Sequence, residues 1–212
     1  MQKKERRLYL FDDKALAVLI VPLIIEQFLA VLVGMADSVM IATVGEAAVS
    51  GVSLVDNIMV LFINAFSALA AGGAVICGQY LGQRDEKLAC RASTQIVWFV
   101  TLVSLVLMVI IYCGKWFILH VVFGSIDADV MGHANIYLLI VAASIPFLAL
   151  YNAGAAIFRA MGDSKAPMKV SILMNLINVS GNALLIYGLH CGTEGVAIPT
   201  LISRMTAAVV II

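Results

Sequence analysis

The sequence predicts an all-α polytopic membrane protein with six membrane-spanning helices, and three observations carry that prediction. Of its 212 residues 63% are hydrophobic and only 12% charged, against about 45–50% apolar and 25% charged in a soluble domain; mean hydropathy is +1.06. Polar breaks divide the chain into six apolar segments, approximately 15–43, 48–81, 93–123, 133–158, 167–190 and 195–212. The first five each reach the roughly 20 residues that a membrane helix needs. The basic residues then sort to one side. Lys3, Lys4, Arg6, Arg7 and Lys14 precede the first span, Arg84, Lys87 and Arg91 fill the second connection, and Arg159, Lys165 and Lys169 flank the fourth. The opposite connections, TVGEAAV, GSIDADVMGH and HCGTEG, hold no Lys or Arg, with Lys115 alone near that side. The positive-inside rule places the N-terminus in the cytoplasm. Net charge is zero, so nothing draws the chain to nucleic acid.

The first span reads ALAVLIVPLIIEQFLAVLVGMADSVMIAT. It is too long for the core of a signal peptide and is expected to be retained. It holds two carboxylates, Glu26 and Asp37. A charge at the bilayer centre costs roughly 2.5–3.5 kcal/mol on insertion scales, so both must face protein or water. Their spacing is almost three full helical turns, about 16 Å along the axis, which puts them on one face. That acidic stripe points to a proton- or cation-handling cavity, with Glu26 lower in it as an attractor of cationic compounds. The two carboxylates are too far apart to share one ion directly.

The second and third segments exceed one bilayer crossing and are expected to tilt, bend or extend past it. Asp56, Asn57 and Asn64 are the polar members of the second. Asp56 lies close to its outer end, where a solvated or capping role and a buried one are both open. The small residues of SALAAGGAVICGQYLG permit close helix approach. Within the fifth span Asn175, Asn178 and Asn182 fall at i, i+3 and i+7, on one face. Such a row either binds neighbouring helices together or lines a cavity. Arg204 lies about 12 Å into the sixth span, from where pairing with an acid or water is expected. Pro22, Pro146 and Pro199 make bends within spans. The sixth segment ends at Ile212 without a flanking charge, and reads as the edge of a longer chain.

Chemistry of other kinds finds no motif. There is no nucleophile elbow, HExxH or P-loop, nor clustered aspartates to hold magnesium, so no enzyme and no cofactor is expected. The four cysteines lack metal-ligand spacing and read as small buried hydrophobes. His120, His133 and His190 fall near span ends and read as interfacial.

The order of several stretches resembles a known family. GMADSVMIATVGEAAVSGVSL is similar to the first helix and outer turn of multidrug and toxic compound extrusion (MATE) transporters. GQYLGQRDEKLA resembles their second-to-third-helix loop, and FRAMGDSKAPMK the fourth-to-fifth. NVSGNALLIYG and GTEGVAIPTLISR resemble the fifth and sixth helices. The resemblance implies one six-helix lobe, the N-terminal one, of a twelve-helix, pseudo-symmetric antiporter in the plasma (bacterial inner) membrane. Such an antiporter exports amphipathic or cationic compounds against protons or sodium. It assigns cation coupling to Asp37, with Tyr137, Asn178, Asn182 and Thr200 converging on it and Asn152 near by. Where the family carries an aspartate, Asn182 is an amide, which cannot release a proton. The proton is the expected coupling ion, and sodium at Asp37, held by neutral oxygens, is the alternative. Glu26, Asn175 and Arg204 are the remaining cavity candidates. A C-terminal lobe is absent, so a second half or a second copy is the expected partner, besides lipid and the exported small molecule. A lipid-linked oligosaccharide flippase of the same superfamily, which would want more basic residues in its cavity, is the alternative. A six-helix channel or scaffold subunit is the reading from a different class.

Overall fold

The computed structural model describes residues 13–124 and 126–212, with side chains from Leu16 onward. The basic residues Lys3, Lys4, Arg6 and Arg7, and the Lys14 side chain, lie outside this description. Among the described residues seven α-helices follow in order: α1 (Asp13–Ala42), α2 (Glu46–Gly82), α3 (Glu86–Phe117), α4 (Ala128–Ala143), α5 (Ile145–Ala160), α6 (Lys165–Ala183) and α7 (Glu194–Ile211). α3 and α6 each continue into a π-helical turn, Ile118–Val122 and Leu184–Gly188. By length and apolarity five helices can cross a membrane, and the α4–α5 pair adds a sixth crossing as one bent span.

That bend is 45° and sits at Ser144. Pro146 has no N–H to give to the carbonyl a turn behind it, so the ladder breaks there. Ser144 Oγ donates to Val141 O at 2.6 Å, and Leu148 N–H donates to Ser144 O at 3.0 Å, which restarts the helix as α5. Pro22 and Pro199, expected to bend their spans, stand inside helices that run on without a break. The fourth span therefore covers 128–160 as two pieces, where the apolar pattern predicts one helix over 133–158.

The two loops of the basic end are built alike. After α2, Arg84 and Asp85 donate their N–H groups to Leu81 O and Tyr80 O; after α5, Gly162 and Asp163 donate theirs to Arg159 O and Phe158 O. The residue at the reversal has positive φ, 62° at Arg84 and 84° at Gly162, which closes the preceding helix. The aspartate that follows caps the next one. Asp85 Oδ1 accepts from Leu88 N–H at 3.0 Å, and Asp163 Oδ1 from Lys165 and Ala166 N–H at 2.9 and 3.1 Å. An unpaired N–H at a helix start is satisfied in both places.

The core lies among α2, α3, α4 and α5, around Val55, Phe66, Val100, Leu138, Val141 and Ile145. α2 and α4 approach closely at Gly51, where an added Cβ would stand 2.8 Å from Ala134 N and 2.9 Å from Val130 O. α7 packs into the bundle beside α5 and α6. α1 differs from the rest. It rests mainly on α6, and Val21, Ile24, Phe28, Val31, Met35 and Val39 are exposed along it.

Candidate functional site

Helix geometry sets the depth of each polar group. Measured at 1.5 Å per residue from the Lys/Arg-poor end, Asp37, Thr200 and Asn182 lie about 8–9 Å deep. Asp56, Tyr137, Asn178 and Arg204 lie about 14–15 Å deep. The site has two levels, drawn from α1, α2, α4, α6 and α7.

From the upper level a hydrogen-bonded chain runs between three helices and reaches the lower one at Asn178. Asn182 Nδ2 donates to Asp37 Oδ1 at 2.6 Å and to Asn178 Oδ1 at 3.3 Å. Asn178 Nδ2 donates to Thr200 Oγ1 at 3.0 Å, and that hydroxyl donates to Val196 O at 2.8 Å. Asn178, Asn182 and Thr200 are buried, and Asp37 is half-buried. The spacing of four residues between the two asparagines stacks them on one face of α6, so one carboxylate of α1 reaches both α6 and α7. Asn182 Oδ1 is buried and has no hydrogen-bond partner. A bare carbonyl oxygen beside a carboxylate suits a water, a protonated group or a small cation. Among the described residues no three His, Cys, Asp or Glu side chains come together, so a cation at Asp37 would draw its other oxygens from amide and hydroxyl groups.

Tyr137, expected near Asp37, lies within electrostatic reach of it and bonds to a second carboxylate. Its hydroxyl donates to Asp56 Oδ1 at 2.9 Å, not to Asp37. Asp56, left open between solvated and buried, stands ten residues into α2, which begins at Glu46. Its side chain is exposed on the lobe. Arg204, expected to pair with an acid or water, donates from Nη1 to Ser144 Oγ at 2.7 Å, at the bend between α4 and α5. No carboxylate lies within ion-pair distance of it among the described residues. It remains within electrostatic reach of both Asp37 and Asp56.

Glu26 forms a separate centre, toward the basic end. Its carboxylate accepts from Tyr151 Oη at 2.8 Å and from Arg159 Nη1 at 3.2 Å, and its side chain is only 14% exposed. The stripe shared with Asp37 is real in spacing, yet the Glu26 charge is already met by Arg159, which the sequence reading counted only as a loop cation. Asn152 and Asn175 join neither centre; each buries an Nδ2 without a partner. His133 Nδ1 lies 2.6 Å from Thr193 Oγ1, and His120 stacks on Trp116 with ring centroids 5.2 Å apart. The four cysteines are unpaired.

A bundle of apolar helices that holds ionisable and amide groups at mid-depth defines a multi-pass membrane protein with a polar intramembrane site. The chain belongs to the MatE family, whose model matches residues 22–184. Among its relatives, the uncharacterized transporter YisQ of Bacillus subtilis is 31% identical over 195 residues, covering 90% of this chain and 42% of the relative. A probable multidrug resistance protein NorM of Thermotoga maritima is 24% identical over 199 residues, covering 92% and 42%. In fold, the chain matches the outward-facing conformation of a multidrug resistance MATE family transporter with a TM-score of 0.84 at 21% identity. A MATE crystal structure in complex with MaL6 matches with a TM-score of 0.89 at 20% identity. Both matches cover 93% of this chain and 44% of the other. The chain thus spans less than half the length of the relatives it matches, and its fold is that of one lobe.

Proposed function

We propose that this chain is the N-terminal lobe of a secondary exporter that carries amphipathic or cationic compounds outward against an inward-moving cation taken up at Asp37. The carrying observation is the chain Asp37–Asn182–Asn178–Thr200, which holds a single carboxylate amid neutral donors and acceptors inside a membrane bundle. A proton is the favoured ion. A proton binds the carboxylate covalently and needs only the hydrogen bonds already present, whereas sodium needs a shell of several oxygens. The unpartnered Asn182 Oδ1 is the observation in favour of sodium, since it offers one such oxygen. Alternating access requires a second half that moves against this one about a central site. The relatives' greater length makes a C-terminal six-helix lobe the expected partner. The basic connections support an N-terminus in the cytoplasm, and membership of the MatE family supports a place in the cytoplasmic membrane.

The test uses full-length protein in vesicles with either a pH or a sodium gradient imposed alone. Asp37→Asn is expected to abolish gradient-driven export at normal expression, and export is expected under the pH gradient. Wild-type export by Asp37→Asn refutes the site. Export under the sodium gradient alone replaces the proton with sodium.

A further inference from the structure

Asp56 is the membrane-interior carboxylate that neither the Asp37 chain nor the Glu26–Arg159 pair takes up. It lies about 15 Å into α2, and its side chain is exposed. An ionised group at that depth is costly against lipid, so this side of α2 borders water or a polar ligand. Tyr137, only 4% exposed, fixes one carboxylate oxygen from behind at 2.9 Å. The nearest opposite charge, Arg204, spends its described hydrogen bond on Ser144 and makes no ion pair with Asp56. Asp37, Asp56 and Arg204 lie within electrostatic reach of one another. Two carboxylates and one guanidinium leave one negative charge uncompensated, room for one monovalent cation.

The surroundings decide what kind of cation. Ser53 and Val60 lie one turn before and one turn after Asp56 on the same side of α2, both exposed, Val60 by 53%. A small ion gains nothing from an apolar flank, and the buried oxygens around Asp37 suit it better. An organic cation gains from both, its charged head on the carboxylate and its apolar body on Val60. Glu26, the remaining carboxylate within a span, already has its charge answered by Arg159. We infer that Asp56 is the anchoring carboxylate for an amphipathic monovalent organic cation, distinct from the small-ion chain at Asp37. This rests on the chain being half of an exporter of such compounds.

The experiment is equilibrium binding of tritiated tetraphenylphosphonium to full-length protein in nanodiscs, without any gradient. Asp56→Asn is expected to weaken binding by about tenfold or more, the loss of one charge-assisted contact. Asp56→Glu is expected to stay within about threefold of wild type. Val60→Gln, which leaves the charge in place, is expected to weaken it by about threefold. Thermal midpoints of all variants are measured alongside, and Val60→Gln keeps the test open if Asp56→Asn does not fold. Absence of binding by wild type, unchanged binding by Asp56→Asn, or an Asp56→Glu protein as weak as Asp56→Asn overturns the inference, as does wild-type binding by Val60→Gln where Asp56→Asn does not fold. Binding that depends on Asp56, in a protein that shows no gradient-driven export, refutes the exporter reading alone.

Discussion

Breaking the ion pair between α1 and α5 is expected to hurt unequally from its two ends. Glu26 is 14% exposed and Arg159 30%, with 3.2 Å between Nη1 and Oε2. Removing one partner of a deeply buried pair costs about 3–5 kcal/mol, and an exposed pair contributes about 0.2–1 kcal/mol. This pair lies between those limits. Arg159→Gln leaves an ionised carboxylate with Tyr151 Oη as its remaining donor, and a loss of about 2–3 kcal/mol is expected. Glu26→Gln is milder. Arg159 sits in the last turn of α5, from which it can turn to water and still favour the helix C-terminus, while the new amide oxygen keeps the Tyr151 bond. That loss is expected near 1 kcal/mol. The double variant leaves no unpaired charge and is expected to be more stable than Arg159→Gln alone. Thermal unfolding of the full-length protein in detergent checks this, at about 2–4 °C per kcal/mol. A double variant whose loss equals the sum of the singles, within about 0.5 kcal/mol, would refute a coupled pair.

Two further pairs of substitutions probe packing and the site. Gly51→Ala should lower the thermal midpoint by the equivalent of about 1–3 kcal/mol, because its Cβ would meet the backbone of α4 at Ala134 and Val130. Gly72→Ala, where nothing lies within 4 Å, should be neutral or stabilising by about 0.5–1 kcal/mol; equal effects would deny the close approach of α2 and α4. Thr200→Val removes the acceptor of Asn178 Nδ2 and should cost about 1–3 kcal/mol, with Thr200→Ser near wild type in the same measurement. A silent Thr200→Val would mean that the hydrogen-bonded chain does not extend to α7.

The helices and their number were legible because each apolar run is long and the polar breaks are sharp. The break within the fourth span was not. Pro146 flagged a bend, but Pro22 and Pro199 flagged bends equally, and only at Ser144 does the backbone part into two helices. A proline removes one N–H wherever it stands; whether the helix breaks depends on the packing around it, which spacing along the chain does not contain. The i, i+3 and i+7 row of asparagines was readable as one face, and the link from Asn182 to Asp37 joins two such faces. The partners of Tyr137, Arg159 and Arg204 were not readable. Tyr137 meets Asp56 across 81 residues of chain and Arg159 meets Glu26 across 133. The place of Asp56 stayed open for the same reason, since its partner Tyr137 stands on another helix.

α1 turns the usual mutational logic inside out. In a water-soluble protein, apolar side chains decide where a helix docks and polar ones keep it dissolved. Around α1, acyl chains and neighbouring helices offer Val21, Ile24, Phe28 and Val31 nearly the same environment, so those residues choose the membrane without choosing a position in it. Placement falls to the two acids, Asp37 against α6 and Glu26 against α5. Exchanging one aliphatic residue for another along α1 should pass unnoticed in a survey of variants, and intolerance should concentrate at a few sparse polar positions. The residues that look least at home in the helix are the ones that give it an address.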